Sequence, residues 1–195
     1  MSKGAKKGQV VVISGPSGVG KSTICREVVK RLADEVYRSV SMTTREQAAM
    51  EVEGQDYWFV SRDEFKAKLE ADQLLEWAEV FGNYYGTPKE KVAEALGEGK
   101  TVVLEIDVQG GRQAKAVYPD AKLIFILPPD QRELAKRISL RGRDKPEVAA
   151  ARLRGSEHET AAAWQFYDHM VINADLEEAI EEVIRIIKDG IGDVK

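Results

Sequence analysis

The sequence predicts an α/β fold, a five-stranded parallel sheet with helices on both faces. Three observations lead there. Short runs rich in valine and isoleucine recur along the chain, patterns with helical spacing lie between them, and the first run leads directly into a glycine-rich turn, GPSGVGKST, at 15–23. Strands buried on both faces read as continuous apolar runs, and strands alternating with helices imply crossover connections and hence a parallel sheet. A chain of 195 residues fits one domain with a sizeable core and inserted subdomains.

QVVVIS (9–14) reads as the first buried strand and TICREVVKRL (23–32) as the helix that follows. Between them Gly15, Pro16, Ser17, Gly18, Val19, Gly20, Lys21 and Ser22 meet the spacing G-x-x-x-x-G-K-[ST], with Thr23 next. Glycines let the backbone curl so that its N–H groups point into an anion-sized hollow, and the helix start adds the positive end of a dipole. In that geometry Lys21 reaches the outer phosphates of a nucleotide and the Ser22 hydroxyl can ligand Mg²⁺.

VYRSVS (36–41) reads as a second strand. Residues 42–100 carry polar and aromatic side chains with few long periodic runs, so they read as an insertion that serves a substrate, with helical patterns at 63–71 and 89–99. The remaining strands are TVVLEID (101–107), KLIFIL (122–127) and HMVIN (169–173), and the remaining helices fall at 130–142, 146–162 and 176–190. In the last helix Leu176, Ile180, Val183, Ile184 and Ile187 form one apolar stripe, expected to pack on the core. Ligands of such sheets bind at the carboxyl ends of the strands.

The net charge of −4 argues against a general nucleic-acid binder. Charge is uneven: 130–154 holds eight basic and four acidic side chains, whereas 39–100 holds thirteen acidic and seven basic. That division fits polyphosphate neutralisation by the first segment and recognition of hydrogen-bond donors by the second; charge counts alone fit two solvated helix faces equally well. A single cysteine, Cys25, rules out an intrachain disulfide framework and fits a reducing compartment. No run approaches membrane-spanning length, and MSKGAKKG lacks the apolar segment of a signal peptide, so a cytoplasmic location is expected. The sequence does not distinguish a monomer from a homo-oligomer.

Beyond the phosphate loop, SVSMTTR (39–45), EVEGQDYWFV (51–60), LLEWAEVFGNYYGT (74–87), LEIDVQGG (104–111) and RISLRG (137–142) occur in the order and spacing of guanylate kinases. The chain resembles that family from about residue 9 to 188. The resemblance implies a P-loop nucleoside monophosphate kinase that transfers the γ-phosphoryl group of ATP to GMP, and to dGMP, with Mg²⁺ as cofactor. It implies a core (9–38, 101–136 and 156–190), a GMP-binding subdomain (39–100) and a lid (137–155). It further implies that Ser41, Glu76, Thr87 and Asp107 read guanine, and that Arg45, Tyr57 and Tyr85 hold its phosphate with support from Glu51. The arginines Arg137, Arg141 and Arg152 would close over the migrating group, Glu105 would hold the metal together with Ser22, and Asn173 would sit near adenine.

The chain departs from the family pattern in three places. Ala48 stands where a second phosphate-binding arginine is usual, Glu105 stands in place of aspartate, and Asn173-Ala174-Asp175 replaces Asn-Asp-Asp. Two other readings stay open on the altered 46–50 segment: a guanylate-kinase-like binding module with weak or no turnover, and a P-loop kinase for another small phosphorylated acceptor. DVQG (107–110) fits a GTPase switch pattern, but the chain has no N-K-x-D guanine motif.

Overall fold

The first strand, β1 (Gln9–Ser14), is buried on both faces because its alternating side chains feed two different cores. Val11 and Ile13 point to one side, with Val103, Ile124 and Ile126 of the neighbouring strands; Val10 and Val12 point to the other, with Val102, Leu104 and Leu123. This is why the run is valine and isoleucine throughout rather than alternating with polar residues. The computed structural model describes residues 7–80, 82–140 and 146–189, with the side chains of 139, 140, 146–152 and 154 outside the description.

The main sheet is parallel throughout, in the order β2 (Val36–Arg38), β7 (Thr101–Glu105), β1, β8 (Lys122–Leu127) and β9 (His169–Ile172). Helices α1 (Lys21–Leu32), α5 (Gln131–Leu140) and α7 (Leu176–Asp189) cover one face through Ile24, Val28, Leu134, Ile138, Ile180, Val183 and Ile187. The opposite face takes Val92 and Ala95 of α3 (Lys89–Gly97) and Ala114 of α4 (Val108–Val117). Toward the β9 edge, Phe125 of β8 meets Ala163 at the end of α6 (Pro146–Ala163). The helices that follow β1 and β7 thus leave to opposite faces, which opens a crevice at the carboxyl ends of these two adjacent strands.

A second, four-stranded sheet is built from 42–88 in the order β4 (Trp58–Phe59), β3 (Met42–Thr43), β6 (Asn83–Pro88) and β5 (Leu74–Val80). Its small core is Met42, Phe65 and Leu74, with Phe65 supplied by α2 (Arg62–Glu70). The sheet docks on the main body through α4. The Gln113 side-chain amide accepts from the Trp77 backbone N–H at 3.1 Å and donates to the Trp77 carbonyl at 2.7 Å, satisfying backbone groups on the β5 edge that no strand pairs. Leu75 joins the main-sheet core from the same strand.

Besides the second sheet, whose strands were not expected, two elements of the main body differ most from the sequence expectation. The strand expected over 36–41 ends at Arg38, and after Ser39, whose N–H still donates to the Val103 carbonyl, the chain crosses to the second sheet, where Met42 and Thr43 pair with Gly86 and Tyr85. Helix α4 was not expected at all, because Gly110 and Gly111 each cost about 1 kcal/mol in a helix. They are required by close approach. A Cβ at 110 would run into the Glu76 carboxylate, and one at 111 would lie 2.5 Å from the Tyr167 hydroxyl. Asp107 starts this helix, its Oδ1 accepting the Gly110 N–H at 2.8 Å.

The apolar stripe of α7 lies on the core as expected, apart from its first member: Ile187 is fully buried while Leu176 is 41% exposed. Ile187→Ala should therefore cost about 2–5 kcal/mol and Leu176→Ala less than about 1 kcal/mol, read as shifts in the urea midpoint at constant slope. Equal losses would show that the helix seats on another face.

Candidate active site

The glycine-rich turn sits at the mouth of the crevice. The Ser14 hydroxyl donates to the Ile106 carbonyl at 2.7 Å and so ties the tip of β1 to that of β7. Gly15, Gly18 and Gly20 have φ values of 151°, 90° and 106°, a region closed to most side chains. At Gly20 a Cβ would lie 2.6 Å from the Asn173 amide nitrogen. Val19 is buried in the core, while its carbonyl accepts from Asn173 Nδ2 at 2.7 Å. Asn173 therefore braces the turn in place. Helix α1 begins with no side-chain cap and no acidic residue in its first turn, whereas Ser61 caps α2 and Asp107 caps α4. An uncapped helix start suits an anion as the missing partner. The Lys21 ammonium folds over the turn, donating to the Gly15 carbonyl and, at 3.0 Å, to the Pro16 carbonyl.

Beside the turn, the Ser22 hydroxyl donates to Glu105 Oε1 at 2.5 Å, and Arg38 donates to Glu105 Oε2 at 2.9 Å. These two oxygen groups fit Mg²⁺, which takes oxygen ligands, uses one or two carboxylates and leaves its other positions to phosphate and water. Among the described residues no group of three or more His, Cys, Asp or Glu forms a metal cluster, and a cation held mainly through substrate phosphate needs none. Glu105 is one carbon longer than aspartate, and that length spans Ser22 and Arg38 together.

Across the crevice the second sheet presents a carboxylate. Glu76, on β5, is 4% exposed, and the Thr87 hydroxyl of β6 donates to it at 2.6 Å. Burial pushes its carboxyl up to about 7; the hydrogen bonds from Thr87 oppose the rise and the charge of Asp107 adds to it. Near it are the residues expected to hold a phosphate. Arg45 donates to both Glu51 oxygens at 2.8 and 3.0 Å, and its guanidinium lies over the Tyr57 ring at 5.4 Å; Tyr57 in turn meets Tyr85 edge-on at 5.8 Å. Burial pulls Glu51 up, but Arg45 and the Ala48 amide outweigh it and hold the carboxyl below its ordinary value. Burial also drives the Tyr57 hydroxyl up to about 12, so it remains a neutral donor. Ser41 lies at the crossing between the sheets, its carbonyl accepting from the Trp58 N–H.

The 46–50 segment has a defined shape without the usual Pro/Gly turn. The Glu51 N–H closes a tight turn on the Ala48 carbonyl at 2.9 Å, and the Ala48 N–H donates to Glu51 Oε2 at 2.9 Å. Glu51 thus holds the backbone at Ala48 and Arg45 with one carboxylate.

On the far side of the turn, a cleft of about 360 Å³ is lined by Gly18, Gly20, Thr23, Arg137, Asn173 and Asp175. Arg137 is fixed there by Glu133 at 2.9 Å and reaches the Val19 and Asn173 carbonyls at 3.4 and 3.3 Å. Arg141 and the side chain of Arg152 lie outside the described residues.

Several residues in the crevice were not singled out from the sequence. Gly110 makes room for the Glu76 carboxylate, and Tyr167 donates to Ser14 Oγ at 2.5 Å beneath the turn. Glu159 of α6 is raised above the ordinary carboxyl range by burial, with Lys21 opposing and Asp107 adding. Arg38 had only a weak signal, the one charge inside a run read as strand over 36–41; Glu159 and Tyr167 come from the far end of the chain and had none.

The guanylate kinase family profile matches residues 7–190. A guanylate kinase of Thermosynechococcus vestitus is 51% identical over 173 residues, covering 89% of this chain and 90% of its own. One of Carboxydothermus hydrogenoformans is 45% identical over 181 residues, 93% of this chain and 88% of its own. The crystal structure of guanylate kinase from Anaplasma phagocytophilum superposes with a TM-score of 0.81 at 30% identity, covering 97% of this chain and 89% of that one. With the glycine-rich turn on one side of the crevice and the Glu76–Thr87 pair on the other, these likenesses agree with the geometry: the chain belongs to the guanylate kinase family.

Proposed function

We propose that the protein transfers the γ-phosphoryl group of Mg²⁺·ATP to GMP, and also to dGMP, giving the nucleoside diphosphate and ADP. The observation that carries this reading is the buried Glu76 carboxylate, held by Thr87 across the crevice from the phosphate-binding turn. Guanine presents donors at N1 and N2, whereas adenine has neither. Adenine at this position would leave buried carboxylates unpaired, at roughly 1–3 kcal/mol for each unsatisfied group and more for a charged one. Asp107 is the second carboxylate in this reading, and Ser41 and Thr87 supply hydroxyls. Arg45, Tyr57 and Tyr85 hold the GMP phosphate, with Glu51 keeping Arg45 in place.

On the donor side the turn 15–23 holds the polyphosphate, with Lys21 on its outer oxygens, and Arg137 and Asn173 border the space for adenine. Arg141 and Arg152 complete the lid in this proposal. When bound at Ser22 and Glu105, Mg²⁺ neutralises charge on the β- and γ-phosphates. A GMP phosphate oxygen attacks the γ-phosphorus, and the bond to the β–γ bridging oxygen breaks as ADP leaves. The residues contribute chiefly orientation and charge compensation, and closure of a lid over 137–155 and of the 39–100 subdomain onto the core excludes water. We place the reaction in cytoplasmic purine nucleotide metabolism.

An ADP-release assay on GMP, dGMP, AMP, CMP and UMP should give strongest turnover on the two guanine nucleotides, and Lys21→Ala should abolish it with the melting temperature little changed. Turnover strongest on AMP, or on none of the five, would refute the proposal.

Two further outcomes follow from this site. Because burial raises Glu76 in the folded protein, the stability tied to its proton is fully present below the unfolded value and is lost as pH climbs to about 7. Glu76→Gln should therefore melt above the parent protein near pH ~8, with the gap closing near pH ~5, and should lose guanine selectivity. A gap that is the same at both pH values would contradict the buried charge. At the altered turn, Ala48→Arg should lower the Michaelis constant for GMP by about ten- to a hundredfold, the worth of one charge-assisted phosphate bond. Unchanged steady-state kinetics would mean that a side chain at 48 does not reach the phosphate.

A further inference from the structure

Arg38 closes β2 at the edge of the main sheet, opposite Val103. Its side chain is 19% exposed, and its two terminal nitrogens face two different parts of the crevice. One donates to Glu105 Oε2 at 2.9 Å, and the other oxygen of Glu105 accepts from Ser22 at the start of α1. The second nitrogen donates to the Gln55 backbone carbonyl at 2.9 Å. Gln55 belongs to a turn that holds itself together: the Gln55 and Asp56 N–H groups return to the Val52 carbonyl, and the Val52 N–H donates to the Asp56 carboxylate at 2.9 Å. This turn joins Glu51 to Tyr57, two members of the phosphate cradle. Among the described residues the Arg38 Nε is buried without a hydrogen-bond partner, and the guanidinium is held through its two terminal nitrogens.

We propose that Arg38 is a positioning residue that fixes the acceptor-phosphate turn, through the Gln55 carbonyl, to the donor-side carboxylate Glu105. The planar guanidinium fork sets the separation between the two, which a single ammonium cannot do with the same geometry. Arg38 touches neither nucleotide in this role. It acts through Tyr57 and Glu51 on one side and through Glu105 on the other, so that the acceptor cradle is already ordered before GMP arrives. Preorganisation of this kind appears as affinity, because ordering is not left to be done on binding. The link to GMP rests on the function proposed above; the link between β2 and the 52–57 turn does not.

The test has two readouts on the full-length protein. Hydrogen exchange of backbone amides in 52–57, with no nucleotide or metal present, should be about tenfold or more faster in Arg38→Met than in the parent protein. GMP titrated calorimetrically, without ATP or metal, should bind about tenfold more weakly to that variant. Arg38→Lys, which keeps the charge beside Glu105 but not the fork, should restore melting temperature while leaving the 52–57 exchange fast. Should Arg38→Met not fold, Arg38→Lys alone carries the same comparison. Exchange in 52–57 at the parent rate in the folded variants would overturn the proposal whether or not GMP is the acceptor. Fast exchange with no GMP binding by the parent protein would instead support the strut and refute the assigned acceptor. Fast exchange with unchanged GMP affinity would overturn the claim that the strut serves the cradle.

Discussion

The structure depends on two adjacent parallel strands, β1 and β7, whose following helices leave to opposite faces of the sheet. That divergence opens the crevice, and each side of it is supplied by the residues just past a strand tip. After β1 come the glycines, Lys21 and Ser22; after β7 come Glu105 at its end and Asp107 two residues on. The alternation of valines in β1 between two cores fixes the register, so a slip of one residue would turn Ser14 away from the Ile106 carbonyl that joins the two tips. From Asp107 the arrangement extends outward. Asp107 caps α4, Gln113 of α4 pairs with the edge of β5, and β5 carries Glu76 back over the crevice.

The two sides are built by opposite electrostatic means. On the donor side α1 starts without a side-chain cap, Lys21 donates to the Gly15 and Pro16 carbonyls, and Asn173 and Arg137 donate to loop carbonyls. On the acceptor side a carboxylate is buried at a cost, visible as its rise to about 7. A group so placed holds its proton more tightly than an exposed carboxyl does, and in the function proposed above it would give that proton up to a ligand that brings its own donors. In the function proposed above, that cost would make a base without those donors a poor ligand.

Much of this was legible in the sequence, and for identifiable reasons. The glycine-rich turn could be read because its pattern is local: strand, glycines, Lys21, Ser22 and helix lie within one stretch. The five main strands could be read because burial on both faces leaves continuous apolar runs. Helix α4 could not, since two glycines that serve close packing against Glu76 and Tyr167 mimic a turn when seen without those partners. The second sheet was likewise hidden, because β3 and β4 are two residues each and gain their identity from long-range pairing. Asn173 was placed near the donor site by resemblance, but its hydrogen bond to Val19 was not visible from residues 154 positions apart. Arg38 lay in a run read wholly as strand, and its task emerges only when Glu105 and Gln55 are brought to its two nitrogens.

In the proposed reaction a buried Glu76 must ionise to receive guanine. Calorimetry of GMP binding near pH ~6.5 in buffers of differing ionisation enthalpy counts the protons exchanged, and the same titration on Glu76→Gln subtracts those belonging to the nucleotide phosphate. The parent protein should release a large fraction of a proton more than the variant and bind GMP more tightly. Equal proton counts with equal affinities would mean that Glu76 does not read the base.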